Sequence, residues 1–99
     1  MTSTEDQLLT SVEVEVFPNP TNDVLNINML IEESVDIEVT LFDLQGRKVQ
    51  TIYQERNFSG QLNVSQSISD LSDGTYVARV SGSENGVLRM EENIKVVKL

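Results

Sequence analysis

Residues 12–27 read VEVEVFPNPTNDVLNI. Val12, Val14 and Val16 share one parity and Glu13 and Glu15 the other. Leu25 and Ile27 resume the alternation after a Pro-Asn-Pro break. A period of two marks a half-buried strand. Two prolines are an unusual way to separate two such runs. Pro18 and Pro20 each hold φ at about −65° and donate no ladder hydrogen bond. Each also pushes the residue before it, Phe17 or Asn19, toward extended backbone. A tight hairpin favours Asn-Gly-like pairs instead. The segment therefore predicts a stiff corner where the chain leaves one sheet and enters another. Asn19 stands between the prolines, and its side-chain amide is suited to satisfying nearby backbone groups, as are Asn22 and Asp23.

Alternation continues along the chain, and helical periodicity is absent. Leu25, Ile27 and Met29 form one stripe, and Val35, Ile37, Val39 and Leu41 the cleanest one, backed by Asp36, Glu38 and Thr40. A weaker strand spans Lys48 to Gln54. Further runs hold Leu62, Val64 and Ile68, then Tyr76, Ala78 and Val80, then Leu88, Met90, Ile94 and Val96. Glu92 interrupts the last parity, which predicts a bulge or break near Glu91 to Asn93. Turn signals fall at Glu32-Glu33-Ser34, Asp43 to Gly46, Asn57 to Gly60, Ser72-Asp73-Gly74 and Gly82 to Gly86. The pattern predicts an all-β domain over residues 12–99, an immunoglobulin-like antiparallel β-sandwich of about seven strands. Residues 1–11 are polar apart from Leu8 and Leu9 and read as a flexible linker.

Two turns carry a specific expectation. Gly46 and Gly74 each follow turn-type residues and precede a strand, so both are expected at positive φ. In Leu71-Ser72-Asp73-Gly74-Thr75-Tyr76, the tyrosine opens a strand just after the glycine. This is similar to a tyrosine corner, whose hydroxyl bonds to backbone a few residues upstream.

The chain has 99 residues, enough for one domain with one modest core. Seven Lys and Arg stand against 16 Asp and Glu, for a net charge of −9. Such a surface repels phosphate backbones and anionic membranes, so no nucleic-acid partner and no membrane insertion are expected. The charge is uneven: no basic residue precedes Arg47, and Arg79, Arg89, Lys95 and Lys98 fall in the last quarter. No stretch reads as a signal peptide or a membrane span.

The composition narrows the chemistry further. Without histidine or cysteine there is no Ser/His or Cys/His nucleophile system and no His- or Cys-ligated zinc. The paired carboxylates Glu13/Glu15 and Asp36/Glu38 lie opposite apolar stripes, as solvated faces do. Asp70 and Asp73 do not match the EF-hand spacing and read as turn caps. No glycine-rich phosphate loop occurs. The residues thus point to a domain without catalytic residues, cofactor or metal.

With these residues in view, the sequence resembles a known family, the type A C-terminal sorting domain of the type IX secretion system of Bacteroidetes. "VFPNPTNDVLNI" resembles its opening signature and carries Pro18, Asn19 and Pro20. "VTLFDLQGRKV" resembles its Asp-x-x-Gly-Arg turn, with Asp43, Gly46 and Arg47. "ISDLSDGTYVARV" resembles its Leu-x-x-Gly-x-Tyr segment, with Leu71, Gly74 and Tyr76. "NIKVVKL" resembles its lysine-bearing terminal strand, with Lys95 and Lys98. Two departures are visible: Ser72-Asp73 replaces the tighter proline-containing turn common in the family, and Leu99 follows the last lysine.

The resemblance implies a delivery function. The domain would direct an N-terminal cargo on the same precursor through the periplasm and the outer-membrane translocon to the cell surface or beyond. A sortase-like protease would then remove it, and the cargo could be attached to an anionic lipopolysaccharide. Lys95, Lys98 and the edge of the last strand are the expected contact with the machinery. The competing readings are an immunoglobulin- or fibronectin-like spacer or adhesion module, and a small carbohydrate-binding sandwich. The five aromatic residues leave little for a sugar platform.

Overall fold

A computed structural model describes residues 13–99, and the linker expected at residues 1–11 lies outside them. The described chain is all-β and antiparallel, as its alternation predicts. Its strands are β1 (Val14–Phe17), β2 (Val24–Asp43), β3 (Lys48–Ser67), β4 (Gly74–Glu84) and β5 (Val87–Lys98). They join in one sheet of order β1-β2-β4-β5, with β3 also paired to β2.

Among the described residues there are five strands rather than about seven, because two expected turns are bulges inside strands. Ile31 pairs with Gly60 and Val35 with Phe58, so the ladder between β2 and β3 carries on past Glu32-Glu33-Ser34 with a shift of register. Asn57 and Gly60 absorb the irregularity at φ of 51° and 103°. The Asn57 N–H donates to Asp36 Oδ1 at 3.0 Å. A bulge accepts turn-type residues at the cost of a local bend.

The bend must be large. Twenty residues of straight strand would span roughly 66 Å, whereas the longest dimension of the molecule is 46 Å. The pairing also brings the two ends of β2 together. Thr21, just before β2, bridges to Lys98, Lys98 pairs with Gly74, and Tyr76 pairs with Asp43 at the end of β2. Each of these ladder steps is only about 5 Å. The sheet is therefore folded over, with both ends of β2 at one pole and its bulges near the other.

The folding-over explains the burial. The inward stripe of β2 (Leu25, Ile27, Met29, Ile31, Val35, Ile37, Val39 and Leu41) is at most 2 % exposed along its whole length. A single open sheet leaves one face wet, but here each half covers the other. Ile52, Leu62, Ile68, Tyr76, Ala78, Val80, Met90 and Val96 complete one core. Each fully buried aliphatic side chain contributes about 1.5–3 kcal/mol.

Three further expectations are corrected. First, Pro18-Asn19-Pro20 does not carry the chain into another sheet, because β1 pairs with the very next strand, Phe17 opposite Asn26. The prolines prevent a tight turn, so residues 18–23 form a wide loop instead. Second, the irregularity in β5 is at Arg89, not at residues 91–93. Gly82 pairs with Met90 and Ser83 with Leu88, which leaves Arg89 as the extra residue. Beyond it Leu88 loses the inward parity and is exposed. Third, only Asn85-Gly86 of the expected turn at 82–86 is a turn. Gly82 is a buried strand residue, and a Cβ there would meet Met90 Cγ and Val35 Cγ2 at 3.0 Å.

Candidate functional site

The residues singled out in the sequence come from four separate segments. The fold gathers those segments at the pole where β2 begins and ends.

The strongest link lies between the first and last of them. Asn19 Nδ2 donates to the Lys95 carbonyl at 2.8 Å, and the Val97 N–H donates to Asn19 Oδ1 at 3.0 Å. One side-chain amide thus supplies the donor and acceptor that a neighbouring strand would present. Two residues on, backbone takes over: Thr21 N donates to Val97 O, and Leu99 N donates to Thr21 O, both at 2.9 Å. The prolines on either side donate no hydrogen bond of their own. The edge of β5 from Lys95 to Leu99 is consequently occupied. The open edge expected there does not exist, because Asn19 and Thr21 fill the place of a partner strand.

The second motif is the turn from β2 into β3. Asp43 Oδ1 accepts from Gln45 N at 2.9 Å and from Arg47 N at 3.0 Å, and its Oδ2 accepts from Arg47 Nε at 3.0 Å. The Arg47 backbone N–H, foremost, together with the Arg47 side chain and the Gln45 N–H, holds the Asp43 carboxyl below its ordinary range against a smaller opposing effect of desolvation. Gly46 closes the turn at φ 85°, and its N–H donates to Asp43 O.

The third motif lies beside it. Gly74 has φ 151°, and the Tyr76 hydroxyl donates to Ser72 O at 2.6 Å, the expected tyrosine corner. Leu71 packs half-buried against the core. Tyr76 pairs with Asp43 on one side and Val96 on the other, which ties the second, third and fourth motifs in one row.

The lysines of β5 diverge. Lys95 is exposed on the outer face, opposite Val77. Lys98 shares the inward parity of Val96, is 6 % exposed, and donates from Nζ to the Leu99 carbonyl at 2.9 Å. It therefore does not join the basic outer surface expected of both.

Two contributors escape sequence reasoning. Thr21 is buried, its Oγ1 donates to Val24 O at 2.6 Å, and its backbone bridges to β5. A threonine between a proline and Asn-Asp is a visible signal for a local side-chain turn. Arg79 registers in the sequence only as charge, but its guanidinium carbon lies 4.6 Å from the Phe42 ring centroid, and its Nε donates to Asn93 Oδ1 at 3.1 Å. No local sequence feature links Arg79 to Phe42, which only the β2–β4 register brings together.

Beside the Asp43 turn, a shallow groove of about 250 Å³ is lined by Phe42, Asp43, Leu44, Gly46, Val77 and Arg79. This is the outer face of the pole. Comparison with protein families matches residues 15–91 to one described as the secretion system C-terminal sorting domain. The chain belongs to that family. The sorting domain so identified is a type IX secretion signal, which sends proteins to the cell surface or outside and works with the secretion machinery. The family is not one of enzymes. The match takes in Pro18-Asn19-Pro20, Asp43 to Arg47 and Leu71 to Tyr76, and it ends before Lys95. No curated protein and no solved structure matches the chain.

Proposed function

We propose that the signal is the folded pole itself, with Asn19, Asp43, Gly46, Arg47, Leu71, Gly74 and Tyr76 shaping it and Lys95 facing the machinery. The observation that carries this reading is the Asn19 clamp on Lys95 and Val97. It makes the terminal strand part of a surface that forms only when residues far apart in sequence have met. A signal of this kind reports that the domain has folded.

The polarity of the fold favours the same reading. Val14, the first residue of β1, pairs with Met29, close to the bulges of β2. A cargo joined before β1 therefore enters away from the motif pole and leaves it exposed to a receptor. In this reading the precursor passes through the periplasm, the outer-membrane translocon takes up the domain by this pole, and a sortase-like protease cuts near residues 1–11. Lys98 serves the pole from within, as a buried residue that pairs with Gly74 and bridges to Thr21.

The experiment is a reporter fused before the domain in a host with an active type IX system. Delivery to the surface in that host, and retention in the periplasm when the translocon is deleted, is the expected result. A spacer or adhesion module would leave the reporter in the periplasm of both strains.

A further inference from the structure

The outer face of the motif pole carries a charge that the rest of the chain does not. The net charge is −9, yet Lys48, Phe42, Val77 and Lys95 stand side by side across four strands. Phe42 pairs with Lys48 and Val77, and Val77 pairs with Lys95. In the next row Arg79 pairs with Thr40 and Asn93. Among the described residues, Lys48, Arg79 and Lys95 make no ion pair, and the ion-paired arginines are Arg47 and Arg89. Asp43 also lines the groove, with its carboxylate ion-paired to Arg47; the other acidic residues of this face begin one row further on, where Glu38 and Glu91 flank Ser81.

Between the cations the surface is apolar. Phe42 and Val77 are half-buried, and Leu44 is 67 % exposed at the lip of the groove. Arg79 is stacked on Phe42 and held by Asn93 through Nε, so its charge sits at a fixed place above the groove. Lysines that merely keep a sheet soluble would not need an apolar centre or a positioned arginine.

We infer that this groove takes an extended acidic segment of a protein in the secretion machinery. One bulky apolar side chain of that segment enters between Phe42, Leu44 and Val77, and carboxylates on either side meet Lys48, Arg79 and Lys95. The assignment rests on the proposed reading of the pole as the recognition surface, and gives its partner a chemistry. The dimensions suit it. Lys48 to Lys95 is three ladder steps, about 15 Å, which an extended peptide covers in about five residues. Arginine on an aromatic face, with its planar fork turned to carboxylate, is a strong recognition element. A phosphate polymer fits less well, since the acidic remainder of the domain repels a long polyanion and an apolar floor offers it nothing.

The test uses the purified domain and a synthetic peptide, Glu-Glu-Leu-Glu-Glu, blocked at both ends, followed by amide chemical shifts at low salt. The expected result is binding in the millimolar range, about −4 kcal/mol, with shifts centred on Phe42, Val77 and Lys95. A peptide with Ser for Leu should bind about fivefold more weakly, the loss of roughly 1 kcal/mol of apolar contact. The Lys48→Glu, Lys95→Glu variant should fold normally, because exposed charge changes cost less than about 0.5 kcal/mol. It should show no binding. Absence of shifts with peptide up to about 5 mM, equal binding of the Ser peptide, or tighter binding of inorganic polyphosphate or anionic lipid vesicles would each overturn the proposal. Because binding is read on the isolated domain, a failure of reporter export would reject the sorting pole without touching this result, and the reverse also holds.

Discussion

Asn19 and Lys95 are 76 residues apart, and the side-chain amide of the first donates to the main-chain carbonyl of the second at 2.8 Å. Its oxygen meanwhile accepts from Val97 N–H. One amide held between two prolines thus joins the Thr21 backbone in fixing this end of the sheet. Asn19→Leu removes both bonds. The partners are exposed, so water replaces part of the loss and the cost should be about 1 kcal/mol. The clearer readout is hydrogen exchange: the Val97 amide should lose protection, while Leu99, whose N–H donates to Thr21 O, and the β2 core should keep theirs. Unchanged protection at Val97 would show that Thr21 alone holds the strand.

Tyr76→Phe tests the corner. The hydroxyl is partly buried and its acceptor is Ser72 O, so its loss should lower stability by about 1–1.5 kcal/mol in a urea melt, with an unchanged slope. A variant as stable as the parent would leave Tyr76 a packing residue only.

Glycines should divide into two mechanisms. Gly46 and Gly74 have φ of 85° and 151°, and a Cβ at either would meet nothing within 4 Å. Valine at either site should therefore cost about 1–3 kcal/mol through backbone strain alone. Gly82 has no such φ but no room, since an added Cβ would stand 3.0 Å from Met90 Cγ and Val35 Cγ2. Gly82→Ala should destabilise by overpacking, about 1–3 kcal/mol, and should cost less when made in a Met90→Ala background than in the parent, because the two side chains are in contact. Melts of these variants separate the two causes, and a neutral Gly46→Val would refute the first.

Asp43 predicts a pH dependence with a definite sign. Its carboxyl titrates below its ordinary range in the folded chain. The turn's contribution is therefore complete above the unfolded value of about 3.9 and is lost as pH falls through the lowered folded value. Asp43→Asn keeps an acceptor but no charge, so the stability gap between parent and variant should be constant near neutral pH and shrink below about pH 4. A gap that widens with acid would reverse the assignment.

The fold is legible in the sequence where one residue type decides one local geometry. The β2 stripe from Leu25 to Leu41, the glycines at 46 and 74 and the corner at Tyr76 follow from parity, positive φ and a hydroxyl with a near partner. The number of strands is not legible. Glu32-Glu33-Ser34 and Asn57 to Gly60 have turn composition, and only their pairing across the sheet makes them bulges. Parity points to Glu92 rather than Arg89 for the same reason, since the two-against-one count opposite Gly82 and Ser83 is a property of the ladder. Of the candidate site, the motifs are visible one by one, but their meeting is not. Local sequence assigns Asn19 to its neighbours, whereas in the fold it serves β5. Lys98 is expected on the outer surface, although its parity with Val96 already turns it inward.

The assembled pole, not the terminal peptide alone, is the proposed export signal. Asn19→Leu tests this most directly, because it removes the amide clamp on Lys95 and Val97 while leaving Lys95, Lys98 and the rest of the sequence intact. The measurement is the surface fraction of a reporter fused to the parent or to the variant, in a host with an active type IX system, with folding of both confirmed by urea melts. The parent fusion should reach the surface, and the folded variant should accumulate in the periplasm. Equal surface delivery of the two, with the Val97 amide shown to be unprotected in the variant, would contradict it.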